Sequence, residues 1–230
     1  MSRVVEFAGL LERVAVPLRV ACVLVEEGRD ISAPPGMGLQ AGVTYRYWQP
    51  SVAGSVYEVE GELQYWLTDE RYPVQERVFS GGSVEDMVRV SLLMLYGEAR
   101  RSMGMTGLDL VVPPTPVVAV RAENSLPPEP VAAGFMIHQE RLESARLTEV
   151  ATGKMWSSDQ PYLLTDFSVV YRYPLEELAA LLVSSDGGAL AGPGSGWWDP
   201  SQRGWNDDRS RPYDAAYNAG LLAWHPEIWR

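Results

Sequence analysis

The sequence predicts an α+β protein: an antiparallel β-rich body with an N-terminal helix, one central apolar helix and an extended C-terminal arm. Three observations carry this. Residues 55–67 alternate apolar and polar side chains over a length that only a strand sustains. Residues 84–99 repeat apolar side chains at helical spacing on most of their circumference. Beyond Ser184 the composition shifts to glycine, then to tryptophan, with five of the chain's 8 tryptophans after residue 196.

Val4, Phe7, Ala8 and Leu11 recur at helical spacing, so residues 3–15 read as an amphipathic helix ended by Pro17. Leu18 to Val25 is a short β-branched run stopped by Glu26-Glu27-Gly28, the pattern of a buried strand, with Cys22 inside it as a small core residue. Residues 32–42 are loop. A meander follows: a strand over Val43 to Trp48, the alternating segment 55–67 with one wet face, and Val74 to Phe79. Gly61 falls on the apolar face and marks a bulge or a close backbone approach.

Ser83 is placed to cap the central helix, with Glu85 and Asp86 at the positive end of its dipole and Gly104 as its stop. Pro113, Pro114 and Pro116 precede an apolar strand run at Val117 to Val120, and Pro127, Pro128 and Pro130 precede another at Val131 to Ile137. Arg146 to Val150 and Lys154 to Ser157, joined by Ala151-Thr152-Gly153, form a hairpin. Phe167 to Tyr173 reads as a further strand, and Pro174 opens a short helix through Leu175, Leu178, Leu181 and Leu182. The body therefore spans 1–185. Residues 186–230 comprise a Gly-rich linker, Gly187 to Gly196, and the arm.

The net charge of −11, from 30 acidic and 19 basic residues, argues against reading a nucleic acid by sequence, because a phosphate backbone repels it. The same charge suits a passive channel through which DNA slides. Lys154 is the only lysine. No apolar run approaches the ~20 residues that span a bilayer, and the N-terminus has no signal-peptide pattern. A membrane-free, intracellular setting is expected.

No catalytic residue, metal ligand set or cofactor motif emerges. Glu58, Glu60 and Glu62 could serve a carboxylate-dependent hydrolase, but a solvated strand face explains them more simply. His138 and His225 are the only histidines and share no ligand spacing. Gly192-Pro193-Gly194-Ser195-Gly196 lacks the lysine of a phosphate loop, and Arg203 breaks the calcium-loop pattern that Asp199 begins.

The arm carries the sharpest functional signal. Trp197, Trp198, Trp205, Arg209, Arg211, Tyr213, Tyr217, Trp224 and Trp229 have the composition of interface anchors, in which a few large side chains supply most of the binding energy. The arm docks either on a neighbouring protein or back on its own body. A sugar-stacking platform is a third reading, which would make the chain a carbohydrate-binding module instead of a protein-binding one.

Val4 to Val183 in element order, with Trp197 to Arg230 as an arm, resembles the tail-terminator and head–tail connector proteins of tailed bacteriophages. That resemblance implies a non-enzymatic virion subunit, assembled in the host cytoplasm into a homo-oligomeric ring that touches neighbouring structural proteins. No short motif defines those families, so it brings no functional residue with it.

Overall fold

The computed structural model describes residues 3–18, 23–24, 42–46, 52–69, 74–103, 105, 108, 110, 131–141 and 144–191. Within them eight strands form one antiparallel sheet and four α-helices pack on it, the α+β class expected. Helix α1 (Arg3–Val14) buries Val4, Phe7, Ala8, Leu11 and Val14, the predicted stripe extended by one turn. A 3-10 turn at Val16–Leu18 follows, and the strand expected from Leu18 is described only as β1 (Val23–Leu24). Next come β2 (Gly42–Arg46), β3 (Val52–Val59), β4 (Glu62–Asp69) and β5 (Val74–Ser80). Helix α2 (Val84–Ser102) leads to β6 (Phe135–Arg141), β7 (Ser144–Glu149), β8 (Met155–Ser158), α3 (Pro161–Val170) and α4 (Leu175–Leu182).

The strand order β1-β2-β3-β4-β5-β8-β7-β6 is two meanders zipped together. After β5 the chain crosses by way of α2 to the far edge, and β6, β7 and β8 return toward β5. The zip itself has a single backbone register pair, Ser80 with Ser157. Side chains reinforce it. The Ser80 and Ser157 hydroxyls bond at 2.7 Å, Ser158 Oγ donates to the Val78 carbonyl at 2.5 Å, and Arg77 faces Asp159 at 3.8 Å.

Residues 55–67 are not one strand with one wet face. They cross a two-residue turn at Glu60-Gly61, whose φ angles of 52° and 81° are those of a type I′ hairpin. In the resulting register Tyr57 opposes Gln64 and Val56 opposes Tyr65. Odd residues of β3 therefore share a face with even residues of β4, so the alternation that looks continuous changes face at the turn. Val56, Leu63 and Tyr65 lie in the main core, while Ser55, Tyr57 and Gln64 are buried on the opposite face. Gly61 is a turn residue and not a bulge. The bulge falls in β5, where Tyr65 pairs with Phe79 and Trp66 with Arg77, leaving Val78 as the extra residue.

Helix α2 is the central packing helix, touching α1, α3, α4 and β4. Of its predicted stripe Val84, Met87, Val88, Leu92, Leu95 and Ala99 are buried and Tyr96 is half-buried; Val90 and Leu93 widen it as expected, and Met94, expected beside them, is half-buried. The predicted strand Phe167 to Tyr173 is instead the second half of α3 and the turn after it. Leu163, Leu164, Thr165, Phe167, Ser168, Val169 and Val170 are all buried, so this helix has almost no polar face from which a 3.6-residue period could be read. Pro161 sits in its first turn, where a missing N–H costs nothing. Pro174 is the cap residue of α4 and not its first helical residue.

The expected linker is packed against the body as far as Ala191. Gly188–Leu190 form a 3-10 turn, Leu190 is fully buried, and Ala191 bridges to Leu110. The loop 32–41, the apolar run Val117 to Val120, Cys22 and the arm lie outside the described residues.

Candidate functional site

Among the described residues, charged and aromatic side chains gather where the two meanders meet the start of α2. Their local origin is the segment Gly81-Gly82-Ser83. Gly82 holds φ +85°, and a Cβ there would stand 2.6 Å from Trp156 Nε1 and closer still to Asp86, so only glycine lets the chain pass. Ser83 then caps α2: its Oγ accepts the Asp86 N–H at 3.3 Å, and Asp86 Oδ2 accepts the Ser83 N–H at 2.7 Å. This reciprocal pair is a capping box with aspartate in the usual glutamate position.

Asp86 is only 1% exposed, and its carboxylate collects further donors. Lys154 Nζ stands 2.6 Å from Oδ2, Trp156 Nε1 donates to the same oxygen at 3.3 Å, and Arg89 approaches Oδ1 at 3.7 Å. The β7–β8 hairpin delivers Lys154 and Trp156, and the end of α3 delivers Tyr171. The ammonium lies 5.2 Å from the Trp156 ring centre and 5.6 Å from that of Tyr171, while the Arg89 guanidinium lies 5.5 Å from the Tyr171 ring. Trp156, Tyr171, Phe167 and Phe135 continue this cluster into the core, with Trp156 and Tyr171 edge to face at 5.2 Å.

Burial works against the Lys154 charge, but the hydrogen bond and charge of Asp86, supported by Tyr171, outweigh it and raise the lysine pKa above its ordinary value. Lys154 is thus held as an ammonium: it donates hydrogen bonds and has no lone pair to offer as base or nucleophile. Burial also raises the Tyr171 pKa; Lys154 opposes that shift, and Asp86 and Glu149 add to it. Arg89 contributes one further tension, because its buried Nε has no hydrogen-bond partner.

A second buried charge closes the other end of α2. Arg100 is fully buried, and its guanidinium donates to the carbonyls of Leu182 at 3.2 Å and Ser184 at 2.6 Å, capping the C-terminus of α4. Burial lowers its pKa, with Tyr96 and Asp186 acting in the opposite direction.

Trp197, Trp198, Trp205, Arg209, Arg211, Tyr213, Tyr217, Trp224 and Trp229 all lie outside the described residues, as does His225. Glu58, Glu60 and Glu62 do not converge: Glu58 pairs with Arg3 at 3.7 Å, Glu60 is in the turn, and Glu62 is exposed. Among the described residues no group of three His, Cys, Asp or Glu side chains is gathered to hold a metal, and no helix is long and apolar enough to cross a membrane. The Asp86–Lys154 pair left two marks in the sequence, a capping box at Ser83-x-x-Asp86 and a sole lysine in a hairpin. Neither mark says that the two meet.

No protein-family model matches the chain, and no curated protein matches it. Among solved structures it is similar to Rv3902c from M. tuberculosis, with a TM-score of 0.56 and 12% sequence identity over 82% of this chain and 92% of that one. At this identity the likeness is one of fold.

Proposed function

We propose that this chain is a non-catalytic assembly protein that works by holding another protein surface, with residues 197–230 as the gripping element. The observation that carries the reading is the make-up of that segment. Five tryptophans stand among arginines, tyrosines and small residues, a mixture suited to filling partner pockets and too polar in its middle for a core. Support also comes from the described body. Asp86 and Arg100, the most enclosed charges among the described residues, and Lys154, which pairs with Asp86, are engaged in capping helices and joining elements.

In its narrower form the proposal makes the chain one subunit of a homo-oligomeric virion ring. Buried aromatic contacts would join neighbouring subunits, and the net charge of −11 would keep DNA mobile in the lumen. The test is the mass in solution of the full chain and of a chain ending at Ala191. An oligomer that dissociates on truncation is the expected result. A monomer in both forms sinks the ring, and an oligomer unchanged by truncation removes the arm from the assembly.

A further inference from the structure

We draw no further inference here: the strongest candidate, the face of the sheet turned away from the helices, where Arg146 of β7 and Met155 of β8 stand exposed side by side, carries nothing because nothing among the described residues shows what covers it.

Discussion

Asp86 does two jobs with one carboxylate, capping α2 through Ser83 and anchoring the β7–β8 hairpin through Lys154 and Trp156. Removing the cation while leaving the carboxylate is therefore the informative change. Lys154→Met should cost about 1–3 kcal/mol, the range for stranding a buried hydrogen-bonded partner, read as a lower urea midpoint with an unchanged slope. The pH dependence has a definite sign. The folded state holds the Lys154 proton more tightly than the unfolded state, so this contribution is complete below the ordinary lysine pKa of 10.5 and is lost as pH rises through the raised folded value. The difference in melting temperature between wild type and Lys154→Met should hence stay constant at neutral pH and shrink only in strongly alkaline buffer. Gly82→Ala should also destabilise, by about 1–3 kcal/mol, since it combines a positive φ with a Cβ pressed on Asp86 and Trp156. Thermal melting of that variant checks it.

Helix α4 is eight residues long and too short to persist alone, so its last carbonyls need an external donor. Arg100 of α2 supplies it from within the core. Arg100→Leu should cost about 1–3 kcal/mol by leaving the Leu182 carbonyl buried and unpaired and the Ser184 carbonyl with the Gly187 N–H alone, and should raise amide exchange in α4 more than in β3 or β4. The β3–β4 turn offers a change of opposite sign. Glu60 holds a φ of 52°, which asparagine adopts more readily, so Glu60→Asn builds the favoured Asn-Gly turn and should raise the melting temperature by an amount equivalent to about 0.5–1 kcal/mol. Most elements were legible in the sequence. The stripes of α1 and α2, the hairpin β7–β8 and the capping serine each follow from local pattern. Phe167 to Val170 did not, because a helix buried on nearly every side and a buried strand present the same unbroken apolar run.

For the molecule as a whole, the body takes in the chain at least as far as Ala191, which bridges to Leu110, with Leu190 in the core. A chain ending there should keep its cooperative melt, measured by circular dichroism, while one ending at Ser185 should lose several degrees with Leu190. The sequence alone determined the class of this protein, its amphipathic helices and the tryptophan-rich composition of its last 34 residues. All of these are properties of neighbouring residues or of totals. Tertiary structure decided that the β3–β4 alternation is split between two faces, because one two-residue turn sets the register of everything after it. It decided that two meanders join at a single backbone pair reinforced by serine side chains. It also brought the sole lysine to a carboxylate 68 positions earlier in the chain, a pairing set by the return of β8 to β5 and by no local signal in either segment.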